Sequence, residues 1–221
     1  MDKNQVFQGV KMKSFAIVLL LLTHTLWADS MIEEANKILS NKRISAYDYK
    51  KNIDEKEGIY IFDCSTFISF VLKKSSPEAL NALHVDEHHT HARAKNFYEF
   101  LATLAEGESA QGWMGVKRMQ NVQVGDIIAW KYDAKLKKRD TGHVIMVYEK
   151  PVLEEVGLWR VKVLDSTKGK HAQDSRGENE NGLGLGTMWF RTNQEGFPIA
   201  LHSLDKTKKP VHRDIAMGRV L

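Results

Sequence analysis

The sequence predicts an α+β fold in which helices come first and strands follow. Apolar residues recur at helical spacing through 31–39, 65–72 and 94–104. The second half instead breaks into short strand-like runs with turn residues between them, at 126–130, 143–148, 159–164, 186–191, 197–201 and 215–220. With 221 residues, 43% hydrophobic and 27% charged, the chain is long enough to bury the core of one globular domain.

The N-terminus departs from this composition. Lys11, Met12 and Lys13 precede the apolar run Phe15 to Leu22, and Trp27-Ala28-Asp29 follows it. This pattern reads as a secretory signal peptide over 1–28, with Met12 as an alternative start and 29–221 as the mature domain. The apolar run is short for a bilayer span, so no stable membrane insertion is expected after cleavage, a retained anchor being the alternative. Removing 1–28 leaves 29 basic and 27 acidic residues, a net charge of +2. Nucleic acid is therefore not expected as a partner. The one basic run, Lys135 to Arg139, reads as a solvated loop.

Met31, Ile32, Ala35, Ile38 and Leu39 predict the first helix, with Ser30 and Glu33 as a capping box. Residues 45–57 are polar, carry Tyr47 and Tyr49, and read as a loop that feeds the buried stretch Ile59 to Phe62 after Gly58. Phe67, Ile68, Val71 and Leu72 then form one helical stripe, with Lys73 and Lys74 at the end where cations suit the helix dipole. A further helix is expected over 92–105, where Ala94, Phe97, Phe100, Leu101 and Leu104 share a face. Residues 168–186 are rich in Gly, Asn, Glu and Ser and read as a mobile surface loop. Gly182-Leu183-Gly184-Leu185-Gly186 is taken as strand bending, since no helical pattern follows it as a phosphate loop would require. Trp113, Trp130, Trp159 and Trp189 are read as core residues.

Chemistry concentrates on the only cysteine, Cys64, at the point where an apolar run becomes a helical pattern. A helix N-terminus favours a thiolate, and its free amides, that of Cys64 included, can serve an oxyanion. An exported chain with one cysteine cannot form an internal disulfide, which leaves Cys64 buried, paired with another chain, or reactive. His143 opens one strand-like run and Asp165 closes the next. If these runs pair as a hairpin with Tyr148 facing Arg160, His143 faces Asp165 and the acid can orient the imidazole. Cys64 as nucleophile, His143 as base and Asp165 as orienter is the expected triad, with His171 and Asp174 as reserve third members. Asp63, Ser65 and Tyr60 are the expected substrate contacts. No cofactor or metal is expected. The cluster of His84, His88, His89 and His91 lacks a fixed metal-ligand spacing, and Asp140-Thr141-Gly142 reads as a turn.

Three segments carry a family resemblance: Asp63-Cys64-Ser65 entering a hydrophobic helix, Gly125-Asp126-Ile127-Ile128 opening a strand, and Gly142-His143-Val144 opening the next. Over roughly 58–170 the chain resembles the NlpC family of bacterial cell-wall cysteine peptidases. The resemblance implies a papain-like fold, with helices packed on an antiparallel sheet or half-barrel. It implies hydrolysis of amide bonds in peptidoglycan stem peptides by Cys64 and His143, in a periplasmic or secreted monomer. The chain departs from the family pattern at Thr66, where glycine is common, in the approach Gly58 to Phe62, and in an aspartate as third polar residue. Two alternatives share the scaffold: an amidase cutting between the sugar lactyl group and L-alanine, or a transferase. A cell-wall-binding module without turnover is a third.

Overall fold

The computed structural model describes residues 30–85, 91–132 and 141–221. The leader, His88, His89 and the basic run at 135–139 lie outside the described residues. The chain is mixed α+β, with helices α1 (30–41), α2 (Cys64–Ser75), α3 (Pro77–Asn81) and α4 (Ala94–Thr103). The expected box at the start of α1 is not formed, since Ser30 Oγ has no hydrogen-bond partner among the described residues. Among the described residues no helix is long and apolar enough to cross a membrane.

The segment read as a loop before Gly58 instead builds a small sheet from β1 (Ile44–Ala46), β2 (Asn52–Asp54) and β3 (Ile59–Ile61). β3 lies in the middle, parallel to β1 and antiparallel to β2. These strands are three residues each, too short for an alternation pattern to reveal.

The remaining strands form one sheet: β4 (Ser109–Ala110), β5 (Trp113–Val116), β6 (Ile127–Lys131), β7 (Gly142–Val147), β8 (Val152–Glu155), β9 (Leu158–Thr167), β10 (Gly182–Thr192), β11 (Pro198–His202), β12 (Val211–His212) and β13 (Ile215–Val220). Their order is β12-β11-β10-β9-β7-β6-β13-β5-β4, with β8 following β7 along the same edge of β9, and all the pairings are antiparallel.

Both faces of this sheet are covered, and successive residues feed different cores. Ile127, Ala129, Val144, Met146 and Leu164 pack with Phe62, Phe67, Ile68, Leu72, Phe97 and Leu101 on the helical side. Ile128, Trp130, Ile145, Val147, Val161 and Val163 face the other way, into a second core with Met188, Phe190, Leu201 and Met217. That core is enclosed because the sheet curls until β11 comes back beside β13. The two-residue side-chain period of a strand explains why β7 is apolar at every position from 144 to 147 rather than alternating. Trp113 and Trp130 are core residues and Trp159 packs against the second core, whereas Trp189 is half-exposed and donates its indole N–H to Glu154 at 3.0 Å.

The expected register between β7 and β9 is corrected by two residues: Met146 pairs with Leu164 and Val147 with Val163. The cause is β8, whose Val152 takes the place opposite Arg160 that Tyr148 was expected to fill. A shift of two leaves every side chain on its expected face, so His143 and Asp165 remain neighbours, now diagonal. A second correction concerns 168–186: β10 begins at Gly182, and the segment before it is pinned to the sheet by a bridge between Ala172 and Thr187.

Candidate active site

Cys64 is the first residue of α2. Asp63 caps the helix: its Oδ1 accepts from the Thr66 amide at 2.7 Å and from Ser65 Oγ at 3.0 Å. The amides of Cys64 and Ser65 are first-turn donors that no carbonyl of the helix can satisfy. Lys73 and Lys74 occupy the last turn, so the helix is charged in the sense that favours an anion at its start. The cysteine is free and only 3% exposed.

The approach to Cys64 is tied to the strand that carries the acid. Ser166, next to Asp165 on β9, donates its buried hydroxyl to the Phe62 carbonyl at 2.7 Å. The small sheet is stitched to β10, because Leu183 donates to Ser45 Oγ at 2.8 Å and Tyr47 donates to Asn181 Oδ1 at 2.7 Å. These contacts hold Tyr47 and Tyr49 in the wall of a cleft that Cys64, His91, Arg93 and Thr141 also line. Asp63 and Ser65 face the same cleft, although the Asp63 oxygen described above is committed to the cap. Tyr60 is 1% exposed and lies behind the cleft in the helical core, where its phenol oxygen accepts from Asn41 at 3.3 Å.

His143 stands on β7 directly opposite Trp130 on β6, with the rings 5.2 Å apart. Its Nε2 meets Asp165 Oδ2 at 2.6 Å, and Cys64 lies near enough to act on the ring electrostatically. With Nε2 committed to the carboxylate, Nδ1 is the ring nitrogen left for the sulfur. Burial opposes charge on this ring, yet Cys64 and Asp165 outweigh it and push His143 up to about 10. Asp165 is wholly buried; burial alone would raise it, but the neighbouring His171 and His143 hold it well below the usual carboxylate range. Of the expected triad, His143 and Asp165 are thus in contact, with Cys64 beside the imidazole, and the three can present a thiol to an imidazole oriented by a carboxylate.

Two further residues reach Asp165. His171 Nε2 contacts the same Oδ2 at 2.8 Å, and Arg176 Nη1 lies 3.3 Å from Oδ1. Arg176 is 4% exposed and makes a fork to Asp174, with Nε on Oδ1 at 2.7 Å and Nη2 on Oδ2 at 2.6 Å. His171, a reserve third member, joins the group through Asp165, whereas Asp174 serves Arg176. Arg176 was not expected from the sequence. Its signal was available in the alternate glycines of β10: a Cβ on Gly184 would lie 2.7 Å from Arg176 Cγ, and one on Gly186 2.5 Å from His171 Cβ. The glycines clear one face of the strand so that these two side chains can lie across it.

One ligand atom each from His143, Asp165 and His171 fall within 4.8 Å of one another, so these three residues are the candidate metal ligands among the described residues. Compared with family models, with curated proteins and with solved structures, the chain matches none.

Proposed function

We propose that this chain is an exported, papain-like cysteine hydrolase that cuts amide bonds in peptidoglycan stem peptides or closely related peptides. The observation that carries the reading is the placement of His143 between two partners. It lies beside Cys64 at the start of α2 and meets Asp165 at 2.6 Å. The Cys64 thiolate attacks the scissile carbonyl, and the first-turn amides of α2 face the oxygen on which negative charge develops. His143 then gives its proton to the leaving amine. A water, deprotonated by the same ring, hydrolyses the thioester and returns Cys64. Trp130 packs against the ring of His143, with the two ring centroids 5.2 Å apart.

The substrate class and the extracytoplasmic location rest on the resemblance of 58–170 to the NlpC family and on the leader-like 1–28. A helix bearing the cysteine, packed against an antiparallel sheet bearing the histidine, supports a papain-like reading of the fold. Mass spectrometry of purified peptidoglycan fragments tests the proposal, with the mature protein and with Cys64→Ala. Cleavage by the first and none by the second is expected, and the product masses separate a stem-peptide cut from release of L-alanine-terminated stems. Cleavage that survives Cys64→Ala would sink the mechanism, and no cleavage by either protein would favour a binding module.

A further inference from the structure

His171 is more than a spare for the third position, because Asp165 and His171 are both present and in contact. Its place is fixed from three sides. The Ala172–Thr187 bridge pins its neighbour to β10, its own amide donates to Asp174 Oδ2 at 2.8 Å, and its Cβ occupies the gap over Gly186. The ring is 7% exposed, and its Nδ1 is buried with no hydrogen-bond partner among the described residues. That orphaned nitrogen decides the protonation pattern. A hydrogen on Nδ1 would have nothing to accept it, whereas a hydrogen on Nε2 points at Asp165 Oδ2, 2.8 Å away. The same fact weighs against a metal held by His143, Asp165 and His171. A ligating imidazole gives its second N–H to an acceptor, and His171 has none among the described residues.

We propose that His171 is a positioning residue of the Cys64 site, an imidazole that donates from Nε2 to Asp165 and fixes the carboxylate oxygen that His143 also uses. The proposal rests on reading Cys64 and His143 as a reactive pair, and it is independent of which substrate they serve. Arg176 holds the other oxygen at 3.3 Å. The carboxylate is then restrained at both ends, and His143 is the one partner free to move a proton to and from the cysteine.

Nitrogen-15 NMR of the histidine-labelled full-length protein reads the tautomer directly and needs no variant. His171 is expected as the Nε2–H form at neutral pH. A ring whose single proton sits on Nδ1 would overturn the proposal, as would stoichiometric Zn²⁺ shifting the His143 and His171 signals together. The rate at which iodoacetamide alkylates Cys64 supplies the functional readout without any substrate, so a failure of peptidoglycan cleavage leaves it standing. His171→Ala is expected to slow alkylation near neutrality by about 10- to 100-fold, the worth of one buried hydrogen bond to a charged group. His171→Gln, whose amide can donate from a similar position, is expected to recover most of that loss, and if the alanine variant does not fold the tautomer measurement decides the proposal. Alkylation at the unaltered rate in a folded His171→Ala protein would overturn the assignment.

Discussion

Asp126 and Asp165 are both wholly buried carboxylates of one sheet, and an arginine meets each of them. Asp126, just before β6, receives Arg219 Nε at 2.8 Å and Nη2 at 2.9 Å, and the Gln123 amide at 2.8 Å. Every one of its partners keeps its protons across the physiological range. Asp165 has an arginine at 3.3 Å and two imidazoles at 2.6 and 2.8 Å. The first pair staples the C-terminal strand β13 to β6, while the second holds a ring that stands beside a thiol. A buried carboxylate in this fold becomes chemical through the kind of donor it meets, since the degree of burial is the same.

That contrast can be broken in order of expected effect. Asp165→Asn should lower turnover by on the order of 10³–10⁴, because a neutral amide no longer supports the imidazolium, while Asp126→Asn should leave turnover per folded molecule unchanged. Equal losses in kcat for the two variants would erase the distinction. Asp126→Ala should instead destabilise the fold by about 3–5 kcal/mol in a urea melt, by leaving Arg219 without its buried partner. Gly186→Ala sharpens the comparison on the Asp165 side. Its new Cβ would lie 2.5 Å from His171 Cβ, and the overpacking should cost about 1–3 kcal/mol while slowing alkylation of Cys64.

The pH dependence follows from His143. Its pKa is raised in the fold from an ordinary 6.5 to about 10, so the stability it contributes is complete below the ordinary value and is lost as pH rises through about 10. Melting temperatures of the protein and of His143→Ala, followed from neutrality to above that value, should converge; a constant gap would contradict the ion-pair assignment. Asp165, held low, works in the opposite direction, contributing stability above the ordinary carboxylate value that is lost on acidification. The smallest effect belongs to Asp63→Ala, which removes the cap of α2 and should cost about 0.5–2 kcal/mol in the same melt.

The sequence was most readable where periodicity has time to develop. The stripe of Phe67, Ile68, Val71 and Leu72 is the buried face of α2, and the helix read over 92–105 runs over Ala94–Thr103. Strands β6, β7, β9, β11 and β13 lie where alternation or short apolar runs placed them. What escaped was short or non-local. β1, β2, β4 and β12 have two or three residues each, and α3 has five. The register of β7 against β9 depends on β8, whose four exposed residues carry no burial pattern. The contact between His143 and Asp165 was legible because a two-residue slip conserves the face. Arg176 was not legible, because a charged residue in a Gly- and Asn-rich stretch resembles solvent-facing loop. Only its place in three dimensions, lying across the gap left by Gly184, shows that it is buried.

β7 is buried along its whole length and hydrogen-bonded on one side to β6 and on the other to β9. Backbone amides in such a strand exchange with solvent only when the molecule opens globally. His143 sits one residue inside that strand, paired with Trp130 of β6, so the histidine is anchored to the sheet rather than to a surface loop. The pairing of imidazole and carboxylate should therefore persist through local fluctuations, and heat should abolish it only when the whole fold is lost.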